Sequence, residues 1–309
     1  MAERTLTRSP SILPLYARAA APMIPGASLL PFVPGRGREI PDLDLTLPDV
    51  QADPEAVAAY AKVCGFSLRD TLPPTYPHVL AFPLHMAVMA DGGFPFGAVG
   101  LVHVENRIAQ HRPIALDEQI TLHVHPTKLA PHPKGRTFGL VTEARVGREV
   151  VWESVSTMLR RGGGSGGDGE KADAGERSRD GGEPPVTGEW RLGGDLGRRY
   201  AAVSGDRNPI HMHALTAKPL GFPRAIAHGM WTKARCLAAL ESRLPEALVV
   251  DVRFRRPVLL PGRVELRSED DGQDIRFAVR DAKKGTPHLE GRVAPLEART
   301  KAKTGRKAS

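Results

Sequence analysis

The chain has 309 residues, 41% of them hydrophobic, enough for one large domain or two of ordinary size with a true core. Its net charge of +8 falls to +3 once the five bases after Ala298 are set aside, and no zinc-finger or RNA-binding motif points the remainder at nucleic acid rather than a small anion. No run of about 18 apolar residues offers a membrane span, and prolines 10, 14, 22 and 25 interrupt any secretory signal.

In chain order, Asp53 is set to cap a helix that opens on Pro54 and stops at Cys64 before Gly65. A second, longer helix follows around "AFPLHMAV" (81–88). Strands are expected in "GLVHVENRI", "EQITLHVHP", "TFGLVTEARV" and "EVVWESVSTML". His123 and His125 share a strand face, but with His132 they lack a further ligand at metal spacing, so no metal is expected there. Cys64 and His78 lack a third group to orient them as a nucleophile pair. Cys64 and Cys236 match no metal or redox spacing and read as buried thiols in a reduced, cytoplasmic setting.

Residues 161–188 hold ten glycines, six acids and four bases among 28 positions, too little apolar surface to offset the entropy of ordering. They read as a disordered linker that separates residues 1–160 from residues 189–297, with a basic disordered tail over 298–309. "GGGSGG" within it lacks the Lys-Ser/Thr ending of a phosphate loop.

Beyond the linker, Asp195–Ser204 repeats the short helix and Gly205 ends it. "GMWTKARCLAALESRL" then puts Met230, Ala234, Leu237, Ala238 and Leu240 on one helix face. "LVVDVRFRRPV", "GRVELRSE", "DIRFAVRDA" and "PHLEGRVAPLE" read as strands, with turns at Asp271-Gly272 and Lys284-Gly285.

The two halves resemble each other. "YAKVCGF" (60–66) sets against "YAAVSGD" (200–206), and "RPIALDEQITL" (112–122) against "RPVLLPGRVEL" (256–266), at offsets of 140 and 144. A duplicated α+β domain follows, each copy an antiparallel sheet wrapped around one helix, with the two sheets free to pair edge to edge. A doubly wound parallel fold would instead alternate strands with helices.

"YAAVSGDRNPIH" places Asp206 and His211 in a bend broken by Gly205, Asn208 and Pro209 and expected to be irregular. A carboxylate and an imidazole on one short loop can both reach a single water, one removing a proton and the other supplying one. Capping or a surface ion pair are the plainer roles. In "GFPRAIAHGMW", Gly229 would present a backbone N–H at the positive end of the long helix, suited to a developing oxyanion or simply to close packing. At these offsets Asp206, His211 and Gly229 correspond to Phe66, Thr71 and His85, so the first half keeps the scaffold and lacks the acid–base set.

At these two stretches the chain resembles the MaoC-like dehydratases, (R)-specific enoyl-CoA hydratases of the hot-dog fold, over roughly 190–297. The first half resembles the degenerate domain of double-hot-dog members. The resemblance implies that Asp206 and His211 activate water, Asn208 orients their loop, and the Gly229 N–H binds the thioester carbonyl. Ser204, His228 and Met230 would contact the substrate. The carrier, coenzyme A or acyl-carrier protein, is anionic, and Arg253, Arg255, Arg256 and Lys233, near the second half's strand and helix, are the candidates to meet its phosphates, with a solvated role as the plainer reading on exposed strand positions. The reaction implied interconverts trans-2-enoyl and (R)-3-hydroxyacyl thioesters in fatty acid metabolism, with no cofactor and no nucleic-acid or membrane partner, in a monomeric pseudo-dimer or a homodimer. His213 stands where many members carry an acid. Phe66, Leu68 and Leu84 are expected to line an apolar tunnel for a longer acyl chain. A non-catalytic acyl-thioester binder and a hot-dog thioesterase are the alternatives.

Overall fold

The computed structural model describes residues 2–21, 34–35, 37–98, 100–162 and 182–296. Most of the expected linker and all of the expected tail lie outside these residues. The elements of the first half are β1 (Ala2–Thr5), α1 (Ile12–Ala20), β2 (Leu43–Val50), α2 (Pro54–Cys64), α3 (Tyr76–Met89), β3 (Leu101–Gln110), β4 (Ile120–Pro126), β5 (Ala130–His132), β6 (Gly135–Val146) and β7 (Glu149–Arg161). The second half has β8 (Val186–Leu192), α4 (Leu196–Ser204), α5 (Pro209–Met212), α6 (Ala214–Ala217), α7 (Gly229–Ala239), β9 (Leu248–Phe254), β10 (Gly262–Asp270), β11 (Ile275–Asp281) and β12 (Pro287–Pro295). β8 begins at Val186, inside the stretch read as linker, because its residues pair with β10.

The strands form one sheet in the order β1-β2-β4-β6-β7-β3-β9-β12-β11-β10-β8, with β5 beside β6. Read from the centre outward, each half has the same order, so the duplication legible in the sequence is also a duplication of topology. β3 and β9 run antiparallel at the seam, with Arg107 opposite Asp251, Ile108 opposite Val250 and Asn106 opposite Val252. This is the edge-to-edge pairing that removes two free strand edges.

Local chemistry explains the helices. Asp53 accepts the Glu55 N–H at 3.0 Å, Pro54 fills the first turn, and Gly65 ends α2 at φ +86°. Gly205 ends α4 in the same left-handed way at φ +75°. α2 and α4 pack together, and the repeated tyrosines Tyr60 and Tyr200 meet there with ring centroids 6.0 Å apart. α3 lies on β2, β4 and β6, and its apolar run is buried on nearly every side. Trp152 closes that core and donates its indole N–H to the Pro74 carbonyl at 2.8 Å. α7 buries seven of its eleven residues. Both cysteines are buried thiols.

Candidate active site

α4 delivers the chain to the site, and Gly205 turns it. The bend that follows is not wholly irregular: Pro209–Met212 is one helical turn, with Asn208 as its cap and Pro209 in first place. The Asn208 side chain accepts the Ile210 N–H at 3.4 Å. Asn and Pro therefore set a new helix start rather than only breaking the old one. α4 passes this turn so closely that a Cβ on Gly197 would collide with the His211 carbonyl.

Asp206 and His211 face one cavity of about 180 Å³. The Asp206 side chain is 28% exposed, and Oδ1 accepts the Asn208 N–H at 3.1 Å and the Tyr16 hydroxyl at 2.9 Å. Ser204 Oγ accepts the Asp206 N–H at 3.2 Å. His211 is buried, and its Nδ1 lies 2.8 Å from the Ile226 carbonyl. A carbonyl only accepts, so Nδ1 carries the proton and Nε2 is left with a free lone pair. By the same reasoning His228 Nε2 donates to the Asp206 carbonyl at 2.9 Å. The rings of His211 and His228 stack with centroids 3.6 Å apart.

Burial drives the charge states. It lowers the His211 pKa from its ordinary value, partly countered by the Asp206 charge, and it pushes His228 down to about 3. Burial would raise Asp206, but the His228 and His211 rings, the Asn208 amide and the Tyr16 hydroxyl together hold it below its ordinary value. The resting site is thus a carboxylate beside neutral imidazoles.

Gly229 is the first residue of α7 and lines the same cavity. Its amide has no acceptor within the helix and sits at the positive end of the helix dipole. A Cβ there would lie 3.0–3.2 Å from the Phe254 ring, so glycine keeps that approach open. Asp206, His211 and His228 each place a ligand-type atom within 4.8 Å of the others. The rings of His211 and His228 stack at only 26° to one another, and one nitrogen of each is already committed to a backbone carbonyl, Ile226 for His211 Nδ1 and Asp206 for His228 Nε2. That arrangement suits proton handling better than a tetrahedral metal centre.

Comparison with known proteins gives a concordant answer. Residues 182–291 match the model of the MaoC like domain. The chain is 40% identical over 300 residues to 3-hydroxyacyl-thioester dehydratase X of Mycobacterium tuberculosis, covering 93% of this chain and 99% of that protein. The chain belongs to the MaoC-like dehydratase family. A crystal structure of HtdX from the same organism superposes on this family member with a TM-score of 0.72 at 38% identity, over 82% of this chain and 100% of that one. A MaoC-like dehydratase from Phytophthora capsici shares the fold at a TM-score of 0.66 and 19% identity, over 83% and 96% of the two chains.

In this MaoC-like dehydratase the expected site residues divide cleanly. Asp206, His211, Asn208, Gly229, Ser204, His228 and Met230 all line the cavity, as do Arg255 and Arg256. Arg255 also pairs with Glu290 at 2.7 Å. Arg253 does not line it; it stands on the seam and pairs with Glu105 at 3.1 Å. Lys233 is a correction. It is fully buried, donates to Asn106 Oδ1 at 2.6 Å and to the Asn106 and Val250 carbonyls, and cannot meet a carrier phosphate. Its place on α7 points it at the β3–β9 seam, where it ties the halves together.

The expected tunnel wall is also corrected. Phe66 stacks near Tyr60 in the core, Leu84 is fully buried, and Leu68 is 74% exposed. The first half instead lines the cavity with Phe82, Met89, Leu101, Leu140 and Met158, and with His78, His85 and His103. His213 is exposed, with Nδ1 3.5 Å from an Arg198 nitrogen. Tyr16 joins the site without any signal in the sequence. It lies 190 residues before Asp206 in an N-terminal segment with no counterpart among the described residues of the second half, so no repeat or motif marks it.

Proposed function

We propose that the chain interconverts trans-2-enoyl and (R)-3-hydroxyacyl thioesters, with Asp206 and His211 holding the reacting water and the Gly229 amide binding the thioester carbonyl. One observation carries this reading: an ionised carboxylate, a neutral imidazole and an uncommitted helix N-terminal amide open into a single cavity.

The charge states refine the chemistry. Asp206 is a carboxylate, and the one N–H of His211 is committed to Ile226. Both groups that face the water therefore accept hydrogen bonds and neither holds a proton to give. In hydration the water oxygen bonds to C3 while the pair takes one water proton, and that same proton passes to C2. In dehydration the pair takes the C2 proton and returns it to the departing hydroxyl. Negative charge grows on the thioester oxygen in both directions, and a fixed amide there lowers the barrier more than it stabilises the ground state. Arg255 and Arg256 at the cavity offer charge for the phosphates of coenzyme A or an acyl-carrier protein.

The test is turnover of trans-2-enoyl-CoA by purified protein, with thiol release followed in parallel. Loss of the enoyl absorbance without free thiol supports hydration, whereas thiol release supports hydrolysis. Asp206→Asn and His211→Gln should each lower kcat by about 10²–10⁴-fold. Full rate in both variants would refute these roles.

A further inference from the structure

The cavity wall supplied by the first half is not plain hydrocarbon. His78 and His85 come from α3 and His103 from β3, and all three line the cavity that holds Asp206 and His211. The rings of His78 and His85 lie 5.0 Å apart, those of His78 and His103 lie 6.3 Å apart, and His103 sits 5.0 Å from Phe254, the ring that flanks Gly229. His85 is spoken for, through Nε2 and Thr142 Oγ1 at 2.7 Å. His78 Nδ1 and His103 Nε2 are different: both atoms are buried and neither has a hydrogen-bond partner. His78 as a whole is only 9% exposed. His228 Nδ1, on the second-half side of the same cavity, is a third such atom. Buried polar atoms are partnered in the great majority of cases, and an orphan costs a lost hydrogen bond, so the two on the first-half wall call for a ligand group that satisfies them.

We propose that His78 and His103 form a second polar subsite that selects acyl chains carrying a hydroxyl group over plain hydrocarbon chains of the same length. This rests on the reading of the cavity as an enoyl-thioester site. Phe82, Met89, Leu101, Leu140 and Met158 give an acyl chain apolar surface on which to lie, beside the polar Ser156 and Arg161 of the same half. Burial lowers His78 to about 4 and His103 to about 3, so both rings are neutral near pH 7. A carboxylate on the chain would gain no charge pairing from these two rings. A hydroxyl both donates and accepts, and so satisfies either tautomer of either ring. A plain chain would leave both orphan nitrogens without a partner. Sites built to hydrogen-bond a substrate group reject analogues that lack it more strongly than apolar pockets discriminate by size.

The test compares kcat/KM for pairs of trans-2-enoyl-CoA substrates of equal length, one plain and one with a single hydroxyl placed at successive carbons beyond C4. The best hydroxylated substrate should be favoured by about tenfold or more. His78→Leu/His103→Leu should invert that ratio, raising kcat/KM for the plain substrate and lowering it for the hydroxylated one. His103→Gln, which keeps a polar atom near the Nε2 position, should preserve the preference. Absence of a preferred position in the native chain, or a ratio that the leucine pair leaves untouched, would overturn the proposal. If no substrate is turned over, the hydratase reading fails instead, and calorimetric binding of the same pairs still decides whether the hydroxyl is selected. Should the leucine pair misfold, the native ratio and the glutamine variant decide it.

Discussion

The ends of α2 and α4 show how one scaffold can hold two kinds of corner. Both helices stop at a left-handed glycine, Gly65 and Gly205, and their tyrosines meet across the interface. One residue later the halves part. Phe66 packs near Tyr60 and is buried, whereas Asp206 turns its carboxylate to the cavity. Six residues past each glycine, Thr71 bridges to Ala115, whereas His211 joins Asp206. The central helices extend the contrast. Matched by their last residues, Met89 and Ala239, α3 and α7 set His78 against His228 and Val79 against Gly229. This register corrects the pairing of Gly229 with His85 that a single sequence offset suggests, because α3 and β3 are separated by more chain than α7 and β9. The first half has thus kept the histidine while losing the aspartate and the bare glycine. The fold tolerates either corner; the proposed reaction needs the second.

The largest effect should come from treating the two corners alike. Asp206→Asn and His211→Gln remove the pair and should each cost about 10²–10⁴-fold in kcat, while Thr71→Val at the matching position should leave kcat within about twofold. Comparable losses at both corners would mean that these positions act through folding, and circular dichroism of the variants would separate the two causes.

Acid should expose the next difference. The second half sets Asp206 beside His211 and His228, and the first half sets His78, His85 and His103 beside one another; burial lowers all three, helped by Lys233 at His78, by His78 and His103 at His85, and by His78 and Lys233 at His103. Unfolded histidines take up protons near pH 6.5, yet His78 resists until about 4 and His103 until about 3. Between these limits the unfolded chain binds more protons, so stability falls as pH falls, by about 1.4 kcal/mol per pH unit for each suppressed histidine. Urea midpoints at pH 7 and pH 5 should therefore differ clearly, and His78→Gln should flatten the slope.

At the helix starts, Gly229→Ala should lower kcat about tenfold without loss of fold, since its Cβ must displace the Phe254 ring and shift the amide donor. A second change, Phe254→Leu, should return part of the rate by making room. Val79 already carries a branched side chain at the matching place, and Val79→Ala should affect packing more than turnover.

How much of the molecule is legible in the chain depends on the length scale of each signal. The helix stop at Gly65, the helix start at Pro54 and the Asp206–Asn208–His211 stretch are local, and local backbone chemistry announces them. The duplication is also legible, because Tyr60 and Tyr200 sit in matching strings. Lys233 departs from expectation for the opposite reason. A lysine on a helix ordinarily faces water, and only the tertiary placement of α7 against the seam brings Asn106 and Val250 to its ammonium. The tunnel wall differs likewise: Phe66 and Leu84 are apolar, but the sequence does not say which buried side chains face a core and which a cavity. The His78–His103 pair belongs to two elements whose meeting no spacing encodes.

Tyr16 is the extreme of that class and supports the last prediction. Its hydroxyl donates to Asp206 Oδ1 at 2.9 Å and accepts the Arg207 N–H at 2.7 Å, so it clamps the corner from outside the duplicated fold. Burial and the Asp206 charge raise the phenol pKa, which keeps it a donor at any working pH. The first-half corner has no acid to hold and needs no such clamp. Tyr16→Phe removes one donor from the Asp206 carboxylate while keeping the ring, and a hydrogen bond to a charged group contributes about 1.5–3 kcal/mol. The Asn208 amide remains on the same oxygen, so only part of that should appear, as a drop in kcat of about tenfold or less with little change in KM. The more telling readout is pH. With one donor gone, Asp206 holds its proton more readily, and the acid limb of the kcat profile should move to higher pH. A rate loss with an unmoved acid limb would make Tyr16 packing alone and leave the carboxylate governed entirely by groups of the second half.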